Sequence, residues 1–113
     1  MAKYLLLYRS SRFAADQMAN ATPEQAQAGM EQWMSWAGRV GDAMVDMGAP
    51  TNSVGSVGAV GGGADPDSIV GGYSILEADS FEALKTLLEG HPHLQMGPEA
   101  GIEVLELLSP PGM

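Results

Sequence analysis

The two histidines of the chain, His91 and His93, lie one residue apart in the turn "GHPHL", with Pro92 between them. Histidine titrates near neutral pH, so either imidazole could act as a general acid or base if it lies in a pocket. The turn also follows a helix-like segment, and a histidine at a helix C-terminus can hydrogen-bond the last carbonyls and is favoured by the helix dipole. A catalytic histidine and a helix-terminating histidine are therefore both open interpretations.

A metal site is not expected at this turn. Two histidines are fewer than the three or four ligands of a zinc site, and histidines two apart in an extended turn tend to point in opposite directions. The chain has no cysteine, and the sequence does not fix a third ligand among Glu77, Asp79 and Glu99.

Small, aromatic and charged residues could complete a ligand pocket around the histidines: Tyr73, Gly71, Gly72, Trp33, Glu77 and Arg9. Glycines leave room beside a sheet, a tyrosine or glutamate can orient an imidazole, a tryptophan can form an aromatic wall, and an arginine can bind a carboxylate. Plainer roles stay open. Trp33 fits the core, with Trp36 at its edge or at a dimer surface, and Arg9, like Arg12, fits a solvent-exposed charge at a strand end.

The composition is that of one acidic globular domain over residues 1–113, with a frayed tail at 109–113. The formal net charge is −9, from 14 acidic and 5 basic residues, so nucleic acid is not an expected partner. No apolar run reaches the length of about 18 residues that a membrane span needs, and the N-terminal apolar run is too short for a signal peptide. The lack of cysteine excludes disulfides, and a cytoplasmic location is expected.

The first half of the chain predicts a strand followed by one long helix. Residues 3–9, "KYLLLYR", are too few for a helix and apolar on both faces. Thr22 is a good N-cap, Pro23 fits the first helical position, and Gln25 completes a capping box. Gly48 ends the helix. Its apolar positions recur every three or four residues: Ala26, Met30, Trp33, Met34, Ala37, Val40, Met44 and Met47.

The methionines of this stripe are expected to fill the core. Close approach of another backbone could explain the helix-weakening glycines Gly29, Gly38 and Gly41.

A second and a third strand follow the long helix. Val54, Val57 and Val60 favour a strand of small residues, which the turn "GGGADPD" ends. The segment "SIVGGYSILEADS" is the clearest strand of the chain because it is rich in β-forming residues. Gly71 and Gly72 inside it indicate a bulge or a close approach by another group.

A short helix and a final strand complete the chain. Asp79 is the expected N-cap, with Glu82 as its capping-box partner. Gly90 ends this helix and Pro92 prevents its resumption. The last strand is "GIEVLELLS".

The order strand, helix, strand, strand, helix, strand predicts an α+β fold, the ferredoxin-like βαββαβ topology. Four strands form one antiparallel sheet, and the two helices cover one face. Because the strands are apolar on both sides, the other face also needs a cover, which a second subunit packed face to face would supply. The sequence therefore predicts a homodimer.

The segments "GGYSILEADSFEALKTLLEGHPHL" and "GIEVLEL", with "AKYLLLY" and "MEQWMSWAGRVGDAMVDMGAP" earlier in the chain, resemble the YCII-related domain family. The resemblance covers nearly the whole chain and implies a dimeric α/β barrel. One branch of that family carries Asp-Gly-Pro-Phe where this chain reads "GGGADPDSIVGG", and another has a His-Asp pair whose histidine follows the first strand. Here that position reads "RSSRFAADQ", so the pair cannot be carried over and the turn from His91 to His93 remains.

The resemblance implies a cofactor-free enzyme of the lyase, isomerase or oxygenase type. A few family members are linked to dehydrochlorination or related eliminations on aromatic rings, so a small, for example aromatic, molecule is the expected ligand, with His91 or His93 as acid or base. No organic cofactor is expected, because "GAVGGGAD" lacks the spacing of a dinucleotide fingerprint. The alternative is a non-catalytic dimer module that binds a small molecule or another protein.

Overall fold

The computed structural model of the chain describes residues 2–11, 19–55, 57–58, 69–95 and 100–109. Its elements are β1 (Ala2–Ser10), α1 (Pro23–Val40), β2 (Met44–Asp46), β3 (Ile69–Ala78), α2 (Phe81–Leu87) and β4 (Gly101–Leu107). Short 3-10 turns follow the helices at Gly41–Ala43 and Pro92–Gln95. Of the tail predicted to fray, 109–113, only residue 109 is described.

The four strands form one sheet in the order β2-β3-β1-β4, and every neighbouring pair is antiparallel. This order places β1 and β3 in the centre, as the ferredoxin-like topology requires. The predicted α+β fold is confirmed.

Both helices pack on one face of this sheet, which we call the covered face. Even-numbered residues of β1, and those of β3 from Gly72 onward, point into it, because successive side chains of a strand alternate between faces. The core consists of side chains from these two strands and both helices: Tyr4, Leu6, Tyr8, Trp36, Val40, Leu76, Ala78, Leu84 and Leu88. The opposite side, the open face, carries the alternate residues of the same strands, which are half-buried or, at Lys3, exposed.

The predicted irregularity at Gly71 and Gly72 is confirmed. Tyr8 pairs with Gly72 while Arg9 pairs with Val70, so Gly71 is an extra residue in β3 and forms a bulge. A Cβ atom on Gly72 would lie 3.2 Å from the carbonyl oxygen of Ala49 and 3.4 Å from the Tyr8 ring. Glycine at this position therefore lets the segment after β2 and the Tyr8 side chain approach the strand.

The long helix ends earlier than its periodicity predicts. It stops at Val40, because Gly41 adopts a positive φ of 55° while its N–H caps the carbonyl of Ala37. Met44 then lies in β2, where it pairs with Leu76, and Met47 lies beyond that strand. The helical spacing of apolar residues continues in the sequence through both methionines, but pairing with β3 overrides it.

The prediction of the second strand is correspondingly wrong. Residues 51–55 form no strand, and the side chains of Val54 and Val57 are almost fully exposed. Val60 lies outside the described residues. The valines of segment 54–60 favour a strand, but β2 consists of residues just after α1. Gly48 (φ 80°) follows β2 and allows the chain to pass close to the Tyr73 carbonyl.

The face that α1 buries also differs from the predicted one. Met30 and Met34 are 60% and 56% exposed and do not fill the core, whereas Trp36 is only 3% exposed and Trp33 is half-buried beside it. The expected order of the two tryptophans, Trp33 inside and Trp36 at the edge, is therefore reversed.

Two smaller expectations about the helices also fail. No described backbone approaches Gly29, Gly38 or Gly41, since a Cβ there would meet nothing within 4 Å. The N-cap of α2 is Ser80, whose side chain accepts from the N–H of Ala83, rather than the preceding aspartate. No helix in the described parts of the chain is both long and apolar enough to span a membrane.

Candidate functional site

The histidine turn follows α2 and folds its two imidazoles inward. The N–H of His91 bonds the carbonyl of Leu88, and the His91 carbonyl accepts from Leu94, so the backbone ends the helix. The side chains of His91 and His93 are both buried, and the His91 side chain is fully buried. The expectation that the His91 imidazole caps the last carbonyls of α2 is wrong, because both of its nitrogens bond elsewhere.

Hydrogen bonds fix the tautomer of His91. The N–H of His93 donates to Nδ1 of His91 over 3.0 Å, so that nitrogen carries no proton. In the neutral ring the proton is therefore on Nε2, which lies 3.2 Å from the Tyr8 hydroxyl and donates to it.

The same chain of bonds continues across the sheet. Tyr8 donates to Oγ of Ser74 over 2.7 Å, and Ser74 donates to the carbonyl of Met47 over 2.7 Å. We call His91, Tyr8, Ser74 and the Met47 carbonyl the Tyr8 network. Each group donates to the next one in the same order, and the last acceptor is a carbonyl, which is not protonated at ordinary pH. The Tyr8 network is therefore suited to holding groups in position.

Electrostatics agree with this assignment. Burial lowers the pKa of His91 from 6.5 to about 3, and the charges of His93 and Arg39 act in the same direction. Burial raises the pKa of Tyr8 from 10.0 to about 12, partly offset by its hydrogen bond to Ser74. Both groups are consequently neutral around pH 7 and neither exchanges a proton readily there.

His93 has a different arrangement. Its Nε2 lies 2.8 Å from the carbonyl oxygen of Arg9, which only accepts, so this nitrogen carries a proton. In the neutral ring Nδ1 is then the basic nitrogen, and none of the described residues forms a hydrogen bond with it. His93 thus differs from His91, both of whose ring nitrogens bond described residues.

Aromatic rings surround the imidazoles. Trp36 lies over His91 with ring centroids 4.1 Å apart, and Trp33 meets the same imidazole edge-on at 4.7 Å. The Tyr8 ring lies 5.0 Å from His91 and 5.3 Å from His93. Trp36 is held by a bond from Nε1 to the Leu87 carbonyl, and half-buried Trp33 forms the accessible edge of the cluster.

The structure divides the predicted pocket residues between the two faces of the sheet. Trp33 and the backbone of Gly72 lie with the histidines on the covered face, next to the bulge at Gly71. Tyr73 and Glu77 lie on the open face, so they are not placed to orient either imidazole.

Arg9 contributes to both sides of the sheet. Its carbonyl contacts His93, while its side chain forms an ion pair with Glu103 of β4, with Nε 2.6 Å from Oε1. Arg12 lies outside the described residues. Among the residues that the structure describes, no three histidine, aspartate or glutamate side chains converge as a metal site would require.

Two residues of this cluster, Ser74 and Arg39, are not predicted from the sequence, whereas alternation along the first strand already places Tyr8 on one face with Tyr4. Ser74 is a small polar residue among inward-facing positions of β3, and this pattern is a usable signal. No local pattern links Arg39 to the histidine turn, because that contact spans 50 residues.

Comparison with known proteins supports the fold. The chain is similar to a solved structure of 5-chloro-2-hydroxyhydroquinone dehydrochlorinase from Burkholderia phenoliruptrix AC1100, in complex with 2,5-dihydroxybenzoquinone. The TM-score is 0.51 at 21% sequence identity, and the match covers 91% of this chain and 90% of the other. No protein-family model matches the chain, and no curated protein matches it.

Proposed function

We propose that the protein is a cofactor-free enzyme of the YCII-related type that acts on a small aromatic molecule, with His93 as its proton-transferring group. One observation carries this proposal: hydrogen bonding commits both nitrogens of His91 and the Nε2 atom of His93, and leaves Nδ1 of His93 as the basic nitrogen of the site. A general base needs such a lone pair within reach of a substrate proton.

The other groups then act as positioning residues. The Arg9 carbonyl fixes the orientation of the His93 ring, because it accepts a hydrogen bond from Nε2. The Tyr8 network holds the turn and the neighbouring Tyr8 ring in place. Trp33 offers an aromatic edge against which a planar substrate could lie.

A basic nitrogen beside an aromatic surface suits an elimination such as dehydrochlorination. Loss of HCl removes one proton and one chloride ion from the substrate, so it requires a base and no external oxidant or reductant. The similar structure is named for such a reaction on a chlorinated hydroquinone and holds a quinone-like ligand. We therefore propose a chlorinated hydroquinone as the first substrate to test, with lyase chemistry ahead of isomerase or oxygenase chemistry.

The test is chloride release from 5-chloro-2-hydroxyhydroquinone, measured for wild type, His93→Gln and a control, Thr86→Ala, on the exposed surface of α2. We expect His93→Gln to lower kcat at least about 100-fold, the usual minimum for a general base. The control should match wild type. Equal turnover by wild type and His93→Gln would remove His93 from the mechanism.

We also propose that the protein is a homodimer formed through the open face. This face presents half-buried or exposed apolar side chains from three strands: Leu5, Leu7, Tyr73, Ile75, Leu105 and Leu107. Contiguous apolar surface of this kind is typical of subunit interfaces. Light scattering after gel filtration should give twice the 11.8 kDa chain mass. Ile75→Glu should shift the protein to monomer, and a wild-type monomer at micromolar concentration would contradict the dimer.

The alternative is a non-catalytic module that binds a small molecule. The complete burial and neutrality of the Tyr8 network favour it, because a structural role would produce the same bonds. Under this alternative 2,5-dihydroxybenzoquinone raises the melting temperature and no chlorinated hydroquinone is turned over. The cytoplasmic location expected from the cysteine-free sequence stays a prediction.

A further inference from the structure

A groove of about 540 Å³ runs between the outer side of α1 and the histidine turn. Three residues four positions apart, Glu31, Ser35 and Arg39, form a row along its helical wall, because residues with this spacing share a helix face. The opposite wall is formed by Gly90 and Pro92. The volume lies within the range of about 300–1,000 Å³ that small-molecule sites occupy.

Arg39 gives this groove a cationic end. Its Nη2 atom donates to the carbonyl oxygen of Glu89, and it forms no ion pair with any residue that the structure describes. The remaining N–H groups of its guanidinium are therefore available to a ligand. An arginine that pairs with none of the described carboxylates is notable in a chain with 14 acidic and 5 basic residues.

The guanidinium is positioned before any ligand arrives. Its bond to Glu89 and the bond from Trp36 to Leu87 tie two neighbouring turns of α1 to the end of α2. Gly90 has a φ of 70°, and a Cβ atom there would lie 3.3 Å from Nη1 of Arg39. Glycine therefore leaves the guanidinium uncrowded, and its fixed position reduces the entropy cost of binding an anion.

The other end of the groove has the opposite charge. Glu31 precedes Arg39 by eight residues, which corresponds to about 12 Å along a helix axis. Gln32 and Ser35 lie between them and offer neutral hydrogen-bonding groups. A complementary ligand has an acid group at one end and a hydrogen-bond donor at the other.

We propose that this groove binds a small organic acid, with its carboxylate on Arg39 and a hydroxyl or ammonium group at its far end facing Glu31. A planar guanidinium binds a carboxylate through paired charge-assisted hydrogen bonds, which supplies both affinity and orientation. The groove shares Trp36 and Pro92 with the surroundings of the histidines, but this proposal does not depend on the proposed chemistry at His93.

The probe is 3-(4-hydroxyphenyl)propionate, with its uncharged amide as the matched compound, and binding is followed by calorimetry. We expect saturable binding to wild type, at least about tenfold weaker binding of the amide, and a loss of similar size with Arg39→Gln, as expected when a charge-assisted pair is removed. Lys85→Gln, which removes an exposed positive charge from α2, should bind the probe as wild type does.

A second variant is needed because Arg39 also bonds the end of α2, so Arg39→Gln removes a stabilising contact as well as the positive charge. Ser35→Tyr fills the groove from an exposed helix position without touching that bond, and it should also weaken binding about tenfold or more. The proposal is overturned if wild type shows no saturable binding at millimolar probe, or if Arg39→Gln and Ser35→Tyr both bind as wild type does. Loss of binding in His93→Gln, with Ser35→Tyr unaffected, would assign the probe to the histidine site and also overturn it.

Discussion

The two faces of the sheet are built from the same strands but have different physical characters. On β1, Leu6 and Tyr8 point into the covered face, where Leu6 is fully buried and Tyr8 nearly so. Leu5 and Leu7 point to the open face and remain half-buried. Strand alternation thus separates a tightly packed side with two helices from an apolar side that none of the described elements covers.

Polar groups differ between the faces as much as packing does. The covered face contains the Tyr8 network, whose members are neutral because burial moves their pKa values away from pH 7. The open face contains charged groups, including the ion pair between Arg9 and Glu103. Burial therefore keeps His91 and Tyr8 neutral near pH 7, and His93 differs from them because its Nδ1 atom bonds none of the described residues.

The largest expected difference between the faces is in packing. Leu6→Ala should lower the free energy of unfolding by about 2–5 kcal/mol, because it leaves a cavity in a fully buried site. Leu7 is the neighbouring residue on the open face. Leu7→Ala should lower the free energy of unfolding of the monomer by less than Leu6→Ala does, and it should weaken the dimer. Urea unfolding at several protein concentrations measures both effects. Equal losses at high dilution would contradict the contrast between the faces.

Acid pH should destabilise the covered face selectively. The pKa of His91 falls from 6.5 to about 3 on folding, so the folded protein binds fewer protons than the unfolded chain below pH 6.5. The stability that neutral His91 contributes is complete above pH 6.5 and is lost as the pH falls toward 3. The slope is about 1.4 kcal/mol per pH unit, so the loss of stability at pH 4.5 is on the order of 2–3 kcal/mol.

A variant isolates this contribution from that of the carboxylates. Glutamine at position 91 places an amide N–H close to Nε2 of the imidazole and does not titrate. The difference in unfolding free energy between wild type and His91→Gln should therefore narrow as the pH falls from 6.5 to 4.5. A difference that stays constant over this interval would show that His91 keeps an ordinary pKa in the folded protein.

The Tyr8 network can be compared with a buried tyrosine outside it. Tyr8→Phe removes the acceptor of the His91 Nε2–H and the donor to Ser74, and should cost about 1–3 kcal/mol. Tyr4→Phe is the control, because Tyr4 is also buried on β1 and its hydroxyl bonds no described residue. Its cost should stay within about 0.5 kcal/mol. Similar costs for both variants in thermal unfolding would remove the special role of the network.

Most of the fold could be predicted from the sequence, and the misplaced second strand has an identifiable cause. The order of elements, the capping box at Thr22 and the bulge at Gly71 follow from local rules about backbone geometry, and all are present. Local rules could not place β2, because its residues continue a helical pattern and adopt a strand only by pairing with β3. Tertiary pairing decided that boundary.

The candidate site was predicted less completely, because its geometry depends on contacts distant in sequence. Both histidines could be predicted as site residues because they contain the only imidazoles in the sequence. Their partners Tyr8 and Arg9 lie more than 80 positions away in the sequence. Tyr73 and Glu77 were plausible neighbours in sequence and lie on the opposite face. Knowing which face each strand residue occupies requires the register of β1 against β3.

The smallest expected effect concerns the open face. The ion pair between Arg9 and Glu103 joins β1 to β4 with both side chains roughly one-third exposed or more. A double-mutant cycle with Arg9→Gln and Glu103→Gln should give a coupling free energy of about 0.2–1 kcal/mol, which is usual for exposed pairs. It should decrease from 50 mM to 1 M salt, because screening weakens exposed pairs more than buried ones.

The cycle is chosen because Arg9 has contacts on both faces. A single replacement of Arg9 changes the free energy of unfolding through all of the interactions of Arg9. The coupling free energy of the cycle retains only the part that requires both Arg9 and Glu103. Measured by urea unfolding with the protein diluted to a monomer, a coupling well above 1 kcal/mol that resists salt would contradict an exposed pair. Repeating the cycle at a concentration where light scattering detects the dimer then tests whether a second subunit covers this ion pair. If it does, the salt dependence should diminish, since a covered pair is screened less.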